Sequence, residues 1–287
     1  MIRPGRAHLE WAPHQLGSLL ADQKLEHVMN ESKDSMRQAN DKHVISRDRY
    51  DAVLFDLDGV ITNTAKLHAA CWKQMLDEYL QKRSTERGEP FRPFDLATDY
   101  RLHLDGKPRF DGVRDFLASR GIKLPEGTSD DSPQAETVRG LGNRKNELVS
   151  DAIERIGVEA YQGSIRFIDQ LRRDGFKIAL VTSSENCAAV LKAAKLEGLF
   201  DVRVDGHMVE TQNLAGKPAP DTFLMAAKLL GVAPARAVVV EDAIPGVQAG
   251  RSGNFGLVIG VARKGDAEAL KQHGANVVVN DLSELVH

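Results

Sequence analysis

Short runs of apolar residues, each closed by polar residues, set the strongest constraint on what this chain can fold into. They are Asp51–Asp56, Lys177–Thr182, Ala237–Glu241, Phe255–Ile259 and Ala275–Val279. None alternates apolar with polar residues. A strand of that kind is covered on both faces, as in a parallel sheet flanked by helices. Helical patterns lie between the later runs, over Ser164–Arg173, Asn186–Leu196, Pro220–Leu230 and Gly246–Gly250. Strands that alternate with helices imply an α/β fold with a parallel sheet and right-handed crossovers.

The rhythm breaks between Thr64 and about Arg144. That stretch holds helical patterns over Ala65–Gln81, Phe94–His103 and Val113–Ser119, with polar links Arg83–Pro93 and Leu124–Pro133. The spacing therefore predicts a catalytic core over 50–63 and 146–287 and a helical cap over 64–145, inserted after the first strand. Residues 1–49 read as a separate polar extension, flexible or loosely helical, with weak amphipathicity over Leu16–Met36. An upstream start, with Met29 or Met36 as the true one, and a docking helix are the other readings of that segment.

Composition narrows the partners. A net charge of −3 gives no bulk field for nucleic acid or an anionic membrane, although a local basic pocket is compatible with it. Two cysteines, Cys71 and Cys187, make neither a disulfide framework nor a zinc set. No apolar run approaches the roughly 20 residues of a membrane helix, and no apolar signal core opens the chain. The expectation is a cytoplasmic monomer acting on a small molecule, with no nucleic-acid or membrane partner.

Chemistry concentrates where the strands end. Asp56 and Asp58 stand two residues apart after the first run, the edge at which open parallel sheets bind ligands. Two carboxylates there repel each other unless a cation joins them, and hard oxygen ligands suit Mg2+. Gly59 permits the tight turn that follows. Thr182, Ser183 and Ser184 empty the second strand into hydroxyls at a helix start, where free N–H groups favour a phosphate. Lys217 sits in Gly216–Asp221, a loop stiffened by Pro218 and Pro220. Glu241 and Asp242 end a further strand and could complete an oxygen shell around a cation. Each signal alone has a plain structural reading: a solvated acidic turn, an N-cap cluster, a surface lysine, acids at a helix dipole. Their joint placement at successive strand ends is far more specific.

With these residues the chain resembles the haloacid dehalogenase superfamily, over about Tyr50 to Leu285. It is most similar to the β-phosphoglucomutase group through Asp56–Ala65, His68, Trp72, Arg109, Arg144–Asn146, Lys217–Asp221, Glu241–Asp242, Gly246 and Gln248–Ala249. The resemblance implies a Rossmann-like parallel sheet with an inserted helical cap. It implies Asp56 as nucleophile, forming an aspartyl phosphate, and Asp58 as general acid/base. Thr182 and Lys217 would bind the transferring phosphoryl group. Mg2+ would be held by Asp56, the Asp58 backbone carbonyl, Asp242 and Glu241. Arg109 would grip a second phosphate, Lys145 would lie near the hinge, and His68 would couple cap closure to Asp58. Thr64, Trp72, Ser183, Ser184 and Asn186 complete the implied phosphate- and substrate-binding set. The implied reaction is interconversion of β-glucose 1-phosphate and glucose 6-phosphate, and the alternative is hydrolysis of a sugar phosphate by the same residues. The chain departs from the group in carrying Asn63 where Asp is common and Glu185 where many members have a basic residue.

Overall fold

The computed structural model describes residues 45–263 and 265–287. The extension expected over 1–49 therefore lies almost wholly outside the described residues. Its end, Ile45–Arg49, packs with the main body: the Arg236 guanidinium reaches the Arg47 and Asp48 carbonyls at 3.2 Å.

The central element is β1 (Ala52–Phe55), buried along its whole length. It pairs in parallel with β2 (Lys177–Val181) on one side and β4 (Ala237–Glu241) on the other. The edge strand β3 (Val202–Val204) joins β2, and β5 (Leu257–Val261) and β6 (Val277–Val279) extend the sheet beyond β4. The order β3-β2-β1-β4-β5-β6 is a six-stranded parallel sheet of doubly wound type. Leu54, Ala179 and Val239 lie side by side on it and pack, among other residues, with Phe223, Ala226 and Leu230 of a covering helix. Non-alternating strands are the consequence, as the sequence pattern required.

Two differences from the sequence reading have physical reasons. β3 is short and carries exposed Arg203, so no apolar run marks it. The fifth strand starts at Leu257, two residues later than expected, because Asn254 turns the chain at φ 54° and Gly256 passes beneath Tyr50. It then runs on through Gly260, where a Cβ would sit 3.2 Å from Leu270 and Ala275.

The stretch after β1 is helical, as expected. α1 (Ala65–Arg87) buries Trp72, Met75, Leu76, Tyr79 and Leu80, one stripe at helical spacing. It ends at Gly88, left-handed at φ 63°. A π-helical segment follows over Leu96–Leu104, then α2 (Arg109–Ser119) and α3 (Val138–Ile156). Thr137 caps α3 by accepting a bond from the Gly140 N–H at 2.9 Å. These elements share a hydrophobic cluster of their own, with Phe94 and Phe116 edge to face at 5.2 Å. α3 runs without a break through position 145, where the spacing placed the return to the core. No helix among the described residues is long and apolar enough to cross a membrane.

Phe116 is fully buried in the cap cluster. Phe116→Ala should lower the unfolding free energy by about 3–5 kcal/mol, the cost of an aromatic-sized cavity. Urea denaturation followed by circular dichroism measures it.

Candidate active site

β1 ends at Phe55, and Asp56 follows while its N–H still donates to the Val240 carbonyl at 3.0 Å. The chain then turns sharply: Gly59 donates to the Thr62 carbonyl at 2.8 Å, and Thr62 donates to that of Leu57 at 2.9 Å. Gly59 adopts φ 93°, and a Cβ there would lie 2.2 Å from Asp242 Oδ2. Only glycine meets both demands. The strand therefore does not persist to Asp58. Both carboxylates line one cavity, but the turn gives each its own partners.

Asp56 faces Lys217. The ammonium lies 2.6 Å from Asp56 Oδ1 and 2.7 Å from Glu241 Oε1, and donates to the Val181 carbonyl at 3.2 Å. Two hydrogen bonds and an ion pair thus tie together the ends of β1, β2 and β4. All three charged groups are buried. Burial pulls the Lys217 pKa down, but Asp56 and Glu241 more than reverse this and hold the ammonium charged. Asp56 is pushed well above the usual carboxylate range, chiefly by burial; Lys217 opposes the shift, and Glu241, Asp58 and Asp242 add to it. Acids outnumber cations at this strand end.

That imbalance is what a divalent cation corrects. Asp56, Glu241 and Asp242 each offer an oxygen, all within 4.8 Å of one another. Three hard oxygen donors in a buried cluster fit Mg2+. The Glu241 carboxylate already contacts Lys217 and accepts from the Ala243 N–H at 2.9 Å. A Cβ on Gly246 would come within 1.8 Å of it, so glycine there makes room for this carboxylate. Asp56 and Asp242 are thus the better-placed side-chain ligands, and Glu241 orients the lysine.

Asp58 belongs to a different network. Thr64 donates its hydroxyl to Asp58 Oδ1, and His68 Nε2 lies 3.4 Å from the same oxygen. His68 Nδ1 is 2.8 Å from the Lys145 ammonium. An ammonium can only donate, so Nδ1 accepts and Nε2 carries the proton directed at Asp58. Burial raises the Asp58 pKa, but His68, with Thr64 and Lys145, outweighs it and holds the acid down at about 2. Lys145 is brought down to about 8, mainly by burial. Its ammonium lies 5.1 Å from the Trp72 ring centroid. His68 and Trp72 are one helical turn apart on α1, and Lys145 projects from α3, so cap helices hold the polar side of this network.

The cavity between these groups measures about 70 Å3, below the roughly 300 Å3 usual for a small-molecule site. Ser183 Oγ donates across to the Gly106 carbonyl at 3.1 Å, and Arg109 meets Glu185. Thr182 accepts from the Ser184 N–H at 3.1 Å, and Asn186 donates to Asn146 Oδ1 at 2.8 Å.

Most residues singled out in the sequence converge here. Asp56, Asp58, His68, Trp72, Arg109, Lys145, Thr182, Ser183, Ser184, Asn186, Glu241 and Asp242 all line the cavity. Two do not. Thr64 spends its hydroxyl on Asp58 and Thr62, and Lys217 lies beneath Asp56. Sequence reasoning missed Tyr100 and Asp105, which also line the wall. Burial raises the Tyr100 pKa well above the usual phenol value, with Asp105 next, both as a nearby charge and as a hydrogen-bond partner. Both were in plain view beside Gly106–Arg109, but no spacing rule sends a π-helical tyrosine into the site.

Comparison with known proteins agrees with this architecture. Residues 50–254 match the haloacid dehalogenase-like hydrolase family. The chain belongs to that family. It is 50% identical over 238 residues to a Mycobacterium bovis protein named beta-phosphoglucomutase, covering 82% of this chain and 91% of that one. It is 29% identical to a Thermotoga maritima phosphorylated carbohydrates phosphatase, covering 80% and 94%. A crystal structure of beta-phosphoglucomutase from Clostridium difficile superposes with TM-score 0.64 at 28% identity, covering 82% and 93%.

The Lys145 ammonium orients His68, so activity should fall as pH rises through about 8, where Lys145 loses its proton. Its folded pKa lies below the ordinary lysine value of 10.5, so between the two the unfolded chain binds the extra proton. This group therefore adds stability as pH rises through that window. Loss of activity without loss of melting temperature is the expected signature. Lys145→Arg, which keeps its charge, should move the alkaline limb to higher pH in a pH–rate profile.

Proposed function

We propose that this enzyme transfers phosphoryl groups on a sugar phosphate through an aspartyl phosphate on Asp56, and that its reaction is the interconversion of β-glucose 1-phosphate and glucose 6-phosphate. The observation that carries this reading is the division of labour between two carboxylates in one cavity. Asp56 is anchored by Lys217 beside the Glu241–Asp242 cluster, and Asp58 is held apart by Thr64 and His68.

In the forward half-reaction Asp58, ionised at rest, takes the proton of the acceptor hydroxyl as that oxygen attacks phosphorus. The bond from phosphorus to Asp56 breaks, and the Asp56 carboxylate returns to Lys217. In the second half-reaction Asp56 attacks the other phosphate of the bisphosphate, and Asp58 gives its proton to the departing sugar oxygen. Atoms and protons balance over the cycle, and Asp56 is regenerated as the phosphate ester. Lys217 and Thr182 stabilise the charge on the transferring group. Mg2+ held by Asp56, Asp242 and the Asp58 backbone carbonyl would supply further neutralisation of that charge. Cap closure excludes water, which favours a sugar hydroxyl as the acceptor.

The 50% identity to a protein named beta-phosphoglucomutase supports the mutase. Arg109, at the cavity wall, would hold the second phosphate, which a mutase needs and a phosphatase does not. The second reading, a sugar-phosphate phosphatase with water as acceptor, is favoured by one observation: Arg109 already has a carboxylate partner in Glu185.

Supplied with β-glucose 1-phosphate, Mg2+ and a trace of glucose 1,6-bisphosphate, the enzyme should yield glucose 6-phosphate well in excess of free phosphate. Dominant free phosphate would establish the phosphatase instead. Asp56→Asn should abolish both products, and a chelator should stop turnover until Mg2+ is restored. Arg109→Ala should reduce mutase turnover at least about tenfold more than hydrolysis of a small phosphate ester, because loss of a bidentate phosphate grip removes about 1.5–3 kcal/mol.

A further inference from the structure

The cap wall of the cavity carries an ion pair that the chemistry at Asp56 and Asp58 does not use. Arg109 opens α2 in the cap, and Glu185 follows β2 in the core. Both carboxylate oxygens lie close to Arg109 Nη2, at 2.9 and 3.0 Å. The arginine side chain is only 11% exposed, and the glutamate 29%. A pair this enclosed is weakly screened by solvent and costs energy to separate.

We propose that Glu185 is a specificity-determining residue that competes, as an internal counter-ion, with the substrate's second phosphate for Arg109. The inference rests on the reading of Arg109 as the second-phosphate grip. With the pair formed, this end of the cavity is close to neutral. A ligand whose far end carries hydroxyls can exchange hydrogen bonds with both side chains while leaving the pair intact. A ligand whose far end carries a phosphate must displace the carboxylate, against direct like-charge repulsion.

The structure also holds a place for the displaced carboxylate. Arg109, Ser183 and Glu185 line a neighbouring cavity of about 390 Å3 as well as the catalytic one. Arg139 lines that second cavity, its guanidinium lying 4.1 Å from the Phe110 ring centroid and meeting Glu210. A Glu185 side chain turned away from Arg109 thus enters a space of mixed polarity, where Arg139 already pairs with Glu210. The consequence for a mutase is specific. Its bisphosphate intermediate must release the second subsite in order to turn around, and a competing carboxylate beside Arg109 weakens the hold that would trap it.

The test uses the Asp56→Asn enzyme, which binds ligands without turning them over. Isothermal titration in Mg2+ buffer compares glucose 1,6-bisphosphate with methyl phosphate, a small monophosphate with no second group to reach Arg109, in Asp56→Asn alone and combined with Glu185→Gln. Glutamine keeps the shape and removes the charge. The bisphosphate Kd should fall about tenfold, equivalent to about 1.4 kcal/mol, while the monophosphate Kd changes by less than about threefold. An unchanged bisphosphate Kd, or an equal change for both ligands, overturns the role of Glu185. Arg109→Ala in the same background separates the two claims. If it weakens the bisphosphate, the reading of Arg109 stands whatever Glu185 does. If it does not, that reading fails and the competition fails with it.

Discussion

The Lys217 ammonium is the contact on which this site depends. It is a buried charge at the meeting point of three strand ends, held by Asp56, Glu241 and the Val181 carbonyl. Removing either carboxylate would leave a cation without its full complement in a low-dielectric interior, a state costing several kcal/mol. The sheet must therefore bring β1, β2 and β4 side by side, and the order with β1 between the other two does so. Gly59 and Gly246 follow from the same demand. Each lacks the Cβ that would collide with an acid of this cluster.

The second constraint couples the cap to the core. Asp58 sits in the core turn, where burial raises its pKa, and the groups that bring it down are His68, then Thr64, then Lys145. The Arg109–Glu185 pair and the Ser183–Gly106 bond also join the helical stretch to the core.

Much of this was legible in the chain itself. The buried strands declare themselves because a sheet covered on both faces tolerates no alternation, and Asp56, Asp58 and Asp242 are found at the strand ends because ligands of such sheets bind there, while Lys217 reaches them from a loop between two helices. Elements with weak local signals were not legible. β3 carries a charged residue at the sheet edge, and the return to the core is hidden inside α3, whose periodicity continues through position 145. Tyr100 and Asp105 escaped for a similar reason, since the π-helical path that turns them inward has no apolar period of its own.

The sequence by itself determined the α/β class, a helical stretch after the first strand, and the residue types that gather in one cavity. Each of these rests on local pattern, where periodicity and turn chemistry act over a few residues. The tertiary structure decided which groups share a proton or a charge: Lys217 with Asp56 and Glu241, Asp58 with His68, and Arg109 with Glu185. Those partners are separated by as many as 161 residues along the chain in the Asp56–Lys217 case. Electrostatic coupling depends on distance and burial in the folded state, and neither can be read from position in the chain.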